Sequence, residues 1–139
     1  MALDLARIAH YADGAGRMLD TPQRRSLLFV DGVVGGEGEG PLAPLPVRSR
    51  VVLFSDNVAL GDGAACRLMG FNPRRVPIVR EALGVQEYPL VAGSVGPTTV
   101  VYNGEERALE SLGRLSRPPF RPPRGWKRAL TSDRSGSTA

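Results

Sequence analysis

Several residues that usually advertise a function are scarce in this chain. Cys66 is the single cysteine among 139 residues, which excludes an intramolecular disulfide framework, a Cys-x-x-Cys pair and a Cys/His metal cluster. No iron–sulfur cluster could find its ligands here. No apolar run approaches the roughly 18 residues that suggest a membrane span. The opening Met1-Ala2-Leu3-Asp4-Leu5-Ala6-Arg7 carries an early acid and no long apolar region, unlike a secretory signal. These absences lead us to expect a cytoplasmic protein without a membrane partner.

The chain is otherwise ordinary in composition. Hydrophobic residues make up 42% and charged residues 23%, as in a soluble globular domain, and the length suits one domain. The net charge of +4 is unevenly placed. Residues 114–134 hold Arg114, Arg117, Arg121, Arg124, Lys127, Arg128 and Arg134 against Asp133 alone, leaving 11 basic and 13 acidic residues before them. The basic balance therefore belongs to a tail. We divide the chain into a folded region, 1–113, and a Pro/Arg-rich tail, 114–139.

Residues 2–12 place Leu5, Ile8, Ala9 and Ala12 on one face at helical spacing. Ser26-Leu27-Leu28-Phe29-Val30 and Val51-Val52-Leu53-Phe54-Ser55 are continuous apolar runs, as expected for strands covered on both faces. Ala64 to Met69 reads as helix ending at Gly70, where a left-handed residue suits a helix C-terminus. A further helix is expected from Arg75 or Val76 to Leu83, with Gly84 as its stop. Tyr88 to Val95 and Thr98 to Tyr102 read as strands, and Asn103-Gly104 is a strong hairpin-turn signal. Alternating strands and helices predict an α/β layered fold, with buried strands and flanking helices.

The most distinctive stretch is Phe29-Val30-Asp31-Gly32-Val33-Val34-Gly35-Gly36-Glu37-Gly38-Glu39-Gly40-Pro41. An apolar run ends on a carboxylate and then crosses a glycine-rich segment with two glutamates. It reads as a ligand loop on a strand end, or as a turn of unusual geometry, with Pro41, Pro44 and Pro46 forming an extended connector. It is neither a P-loop nor a dinucleotide fingerprint, because Gly-Lys-Ser/Thr is missing and the prolines oppose a following helix. If the two apolar strands are parallel neighbours, Asp31, Glu37, Glu39, Asp56 and Asp62 converge at their carboxyl edge, where open α/β sheets bind ligands. Such an oxygen-rich set suits a divalent cation such as Mg²⁺ or Ca²⁺, or an unknown small ligand. The amides of Gly35, Gly36, Gly38 and Gly40 could instead form an anion nest. The competing reading has glycines that shape a turn and glutamates that are merely solvated.

Other candidates have plainer roles. Asp62 is expected chiefly as a helix cap, and Asp56-Asn57 as turn or ligand residues. His10, the only histidine, has no evident nucleophile nearby, so an exposed or hydrogen-bonded structural role is expected. Cys66 reads as a core residue. Arg24 and Arg25 read as solvated, with reach toward an anionic ligand as the alternative.

Five blocks then fall into a recognisable order. They are Ile8-Ala9-His10-Tyr11-Ala12-Asp13-Gly14, Asp20-Thr21-Pro22-Gln23-Arg24-Arg25, Phe29 through Pro44, Arg67-Leu68-Met69-Gly70-Phe71-Asn72-Pro73 and Phe120-Arg121-Pro122-Pro123-Arg124-Gly125-Trp126. Together they resemble the C-terminal part of the domain-of-unknown-function 362 family, uncharacterised proteins sometimes fused to ferredoxin-like iron–sulfur modules. The resemblance implies that this chain corresponds to part of a larger domain whose upstream half would be a partner. It also implies an ordered tail with Trp126 packed on the core. Gly61 and Gly63 depart from the family pattern, which leaves the start of their helix open.

The expected function is thus a small-ligand or divalent-metal-binding α/β domain of an enzyme-like protein. One alternative is a nucleic-acid or acidic-partner module working through the basic tail, where Phe120 and Trp126 could stack on bases. Another is an inactive structural remnant. An incomplete sheet would expose strand edges and apolar faces and favour self-association.

Overall fold

The computed structural model describes residues 1–92, 98–115 and 119–126. These form a mixed α/β arrangement of three α-helices and six short strands. In chain order they are α1 (Ala2–Tyr11), β1 (Leu28–Gly32), β2 (Gly35–Glu39), β3 (Ala43–Val47), β4 (Val51–Ser55), α2 (Val58–Leu68), α3 (Pro77–Ala82), β5 (Thr99–Tyr102) and β6 (Glu105–Ala108). A 3₁₀ segment, Leu109–Arg114, follows β6. No helix among the described residues is long and apolar enough to cross a membrane.

The α/β class is as expected, but the strand pairing differs from a layered parallel sheet. β1 pairs with β4, β2 with β3 and β5 with β6, each pair antiparallel and two-stranded. β1 and β4 alternate between half-buried and exposed residues rather than being covered on both faces. Leu53, Val100 and Tyr102 turn inward against the cluster of Ala64, Leu109 and Leu112, so β4 and β5 lie over one small core.

The glycine-rich stretch is a strand, not a loop. Its partner β3 sets Pro44 opposite Gly38 and Pro46 opposite Gly36. Prolines two residues apart share one side of a strand, and proline is tolerated there because an edge strand needs no donors on its outer side. The Asn103-Gly104 turn joins β5 to β6 with both φ angles positive, at 51° and 85°, matching a type I′ hairpin. Residues 88–92 form no strand, and residues 93–95 of that expected strand lie outside the described residues.

α2 begins on Asn57, whose side chain accepts from the Leu60 amide at 3.0 Å. It runs through Gly61 and Gly63 and ends at Met69. Gly70, at φ +80°, then lets its own amide reach the Arg67 carbonyl and the Phe71 amide reach the Cys66 carbonyl, at 2.9 and 2.8 Å. This is a Schellman cap. Gly61 has the tightest surroundings of the described glycines: an added Cβ would overlap Leu28 Cδ2 and come within 3.1 Å of Ser55 Cβ. The glycines left open by the sequence therefore let α2 lie directly on β1 and β4.

α1 presents a different face from the one its apolar residues suggest. Leu5 and Ile8 are exposed, while Leu3, Ala6, Arg7, His10 and Tyr11 turn toward the protein. Polar contacts decide the rotation. The Tyr11 hydroxyl donates to the Pro89 carbonyl at 2.7 Å, and Arg7 donates to Asp4 and to Gln86. Arg24 closes the C-terminus of α1 by donating to the carbonyls of Ala9 and Ala12, at 3.1 and 2.6 Å. It thus caps a helix while staying exposed, as expected from the sequence.

Candidate functional site

The five expected carboxylates do not gather at one edge. Antiparallel pairing places Asp31 opposite Val52 and Leu28 opposite Ser55. Asp31 and Asp56 therefore lie near opposite ends of the ribbon, about 14 Å apart along the strand direction. Asp31 accepts from the Val33 amide at 3.2 Å, shaping the turn after β1. Asp62 lies within α2, so the cap belongs to Asn57. Among the described residues, no three His, Cys, Asp or Glu side chains come together as a metal-binding group.

Glu37 and Glu39 are engaged by the tail. Glu37 accepts from the Arg121 amide at 2.9 Å and pairs with its guanidinium at 3.0 Å. Glu39 accepts from the Arg124 amide at 2.9 Å. The Gly38 amide donates to the Arg121 carbonyl at 2.8 Å, and the Phe120 amide donates to Met69 at 3.0 Å. The Phe120 ring lies against Gly35, where a Cβ would come within 2.9 Å of it. The Gly38 amide, Glu37 and Glu39 thus form a cradle for residues 120–124. Trp126 remains half-exposed instead of packing on the core. The last basic residues, from Lys127 onward, and the small polar stretch 131–139, whose composition leads to an expectation of disorder, lie outside the described residues.

The polar groups that do converge include one the sequence reading had set aside. A cavity of about 240 Å³ is lined by α1, the start of α2, α3, Ser26 and Leu90. Its walls are mainly small apolar side chains, such as Ala6, Ala9, Ala59 and Ala82. His10 and Ser26 enter it together, with Nε2 and Oγ 3.0 Å apart. Backbone contacts bring them there: the amides of Gln23 and Arg24 donate to the His10 carbonyl, at 2.7 and 3.3 Å, folding the chain back over the end of α1. Sixteen positions separate the two residues, so their local sequence patterns carry no sign of the pairing. The spacing of Leu3, Ala6 and His10 could have marked the buried side of α1.

Asp62 completes the lining and is its one charged side chain. The residue is exposed overall, yet its carboxyl is partly desolvated, and this burial raises its pKa above the usual carboxylate range. Exposure of the side chain and desolvation of its acid group are compatible at a rim. One turn further along α2, burial pushes the Cys66 thiol up to about 11, with the Asp62 charge adding to the effect and Arg67 opposing it. Such a thiol is a packing group rather than a nucleophile.

A second, wider groove of about 670 Å³ runs between β4 and β5, with Leu60, Gly61, Ala64 and Leu68 of α2 at its base. Asp56 is on its border, but no other acid lines it. No family model matches the chain, and neither a curated protein nor a solved structure matches it.

Proposed function

We propose that the protein binds a small, largely apolar molecule carrying an amine or similar hydrogen-bond-donating cation, in the cavity between α1, α2 and α3. The observation that carries this reading is the His10–Ser26 hydrogen bond opening into an apolar cavity whose one charged group is Asp62. Binding cavities characteristically combine apolar walls with a few convergent polar groups. Perturbed titration in such a cleft adds weight to the site.

The chemistry follows from the lining. Apolar walls take up the body of the ligand through the hydrophobic effect. A desolvated carboxylate is costly to keep charged, and a cation placed beside it offsets that cost. His10 and Ser26 hold each other in place, leaving hydroxyl or ring capacity to orient a second polar group. The volume equals that of about eight waters, which limits the ligand to a small metabolite. His10 lies in the first block of the resemblance to the domain-of-unknown-function 362 family. If that kinship holds, the same cavity is expected there.

The test is a backbone NMR titration of the full chain with butylamine, with butyrate as the control. Shifts should cluster at Ala6, Ala9, His10, Ser26 and Ala59, be weaker with butyrate and vanish in Asp62→Asn. Equal responses to amine and acid, or responses scattered over the surface, would sink the reading.

A further inference from the structure

β1, β4 and β5 carry apolar residues on both of their faces, yet the described residues cover only one. On the inner side Leu53 and Val100 meet the core. On the outer side Leu27, Phe29, Val52, Phe54 and Val101 are 64%, 67%, 60%, 66% and 71% exposed. Phe29 and Phe54 are direct cross-strand neighbours, so the two rings form one continuous patch with Val52 and Leu27 beside them. An antiparallel pair that leaves one face to water normally carries polar residues there, so an apolar outer face calls for a cover.

The composition of the patch indicates what covers it. Within the strands Asp31 is the one charged residue at an outward position and Thr99 the other polar one, while exposed Asp56, just past β4, bounds the patch at the Leu27 end. A face so poor in charge can meet an identical face without like-charge repulsion at its centre. Burial of an aliphatic or phenyl side chain corresponds to about 60–120 Å² at the usual transfer coefficient. Five such groups, each about two-thirds exposed, supply roughly 200–400 Å² per copy, approaching the largest apolar patch on a typical monomer. Val33 and Val34, exposed just after β1, and the polar rim extend this toward the roughly 800 Å² per partner of a standard interface.

We infer that the outer face of the β1–β4 ribbon, with Val101 of β5 across the adjoining groove, docks onto the same face of a second copy, forming an isologous sheet-on-sheet dimer. A two-fold axis lets one self-complementary patch serve both partners, and paired sheets stack about 10 Å apart. The proposal is independent of the ligand cavity, whose lining shares none of these residues.

Sedimentation velocity on the full chain, from low to high micromolar concentration, tests it. The wild type should dimerise, and Phe54→Glu should weaken association at least ten-fold while keeping its circular-dichroism spectrum. Ile8→Glu, a change to an exposed apolar residue on α1, should dimerise as the wild type does. Should Phe54→Glu misfold, hydroxyl-radical footprinting of the unmodified protein still decides: labelling of Phe29 and Phe54 should fall several-fold as concentration rises. A wild type that stays monomeric throughout overturns the proposal and assigns the cover to a different polypeptide. Association that survives Phe54→Glu, or that is lost in Ile8→Glu, overturns it too, as does labelling of Phe29 and Phe54 that is independent of concentration.

Discussion

Replacing each α2 glycine by alanine should move stability in opposite directions. Within a helix the exchange gains about 0.5–1 kcal/mol, because glycine loses more backbone freedom on folding. At Gly63 the new methyl would lie 3.7 Å from Leu83 Cδ1, an ordinary contact. Gly63→Ala should therefore stabilise by close to that full amount. At Gly61 the methyl would overlap Leu28 Cδ2 and press on Ser55 Cβ at 3.1 Å. Overpacking of this kind costs about 1–3 kcal/mol, which offsets or exceeds the helix gain and leaves a net loss of about 0–2.5 kcal/mol. The end of Leu28 can rotate, but the Ser55 backbone carries its Cβ and is held in the β1–β4 ladder. For a domain of this length, 1 kcal/mol shifts the melting midpoint by about 3–5 °C. Thermal melts should thus place Gly63→Ala above the wild type and Gly61→Ala below it. Shortening the neighbour in Leu28→Val should recover part of the Gly61→Ala loss in a double-mutant cycle. Equal stabilisation by both alanines would refute the close packing of α2 on β1 and β4, and with it the placement of Asp62.

Three other outcomes follow from the same geometry. With its thiol pushed up to about 11 from an ordinary 9.0, Cys66 should react with iodoacetamide at pH 8 about 100-fold more slowly than a free cysteine; rates within a few-fold of free cysteine would contradict its burial. The Asp62 pKa is raised on folding, so the native state holds this proton more tightly than the unfolded chain, and the Asp62 contribution to stability falls as pH rises from about 4 through the folded pKa. Urea titrations of Asp62→Asn should lose that segment of the pH profile, and an unchanged profile would argue against desolvation of the acid. Glu37→Gln should loosen residues 120–124 and speed tryptic cleavage after Arg124, as should high salt acting on the same ion pair; indifference to both would mean that the cradle does not hold the tail.

The local chemistry of the chain was readable, and its long-range partnerships were not. Asn103-Gly104 and Gly70 adopt positive φ, a backbone geometry their own residue types favour, so both were legible from their neighbourhood. The direction of strand pairing leaves no such mark. The runs 26–30 and 51–55 read as covered on both faces because both faces are apolar; they are antiparallel and half-covered, which separates Asp31 from Asp56. The segment from Gly35 to Glu39 looked like a loop because its residues have little strand propensity. It is a strand because β3 and the tail satisfy its backbone from either side. His10 looked solitary because the return of Gln23 and Arg24 to its carbonyl, which delivers Ser26, depends on hydrogen bonds between segments more than ten residues apart.

The central claim is most directly tested by a long-range ¹H–¹⁵N correlation spectrum of the His10 ring, recorded with and without butylamine. Both ring nitrogens can be assigned unambiguously, because the chain holds no other histidine. The account predicts a hydrogen-bonded Nε2 whose shift changes in Ser26→Ala, and a further change on adding the amine that disappears in Asp62→Asn. Ring nitrogens with the shifts of a solvent-exposed imidazole, indifferent to both the amine and the Ser26 change, would contradict it.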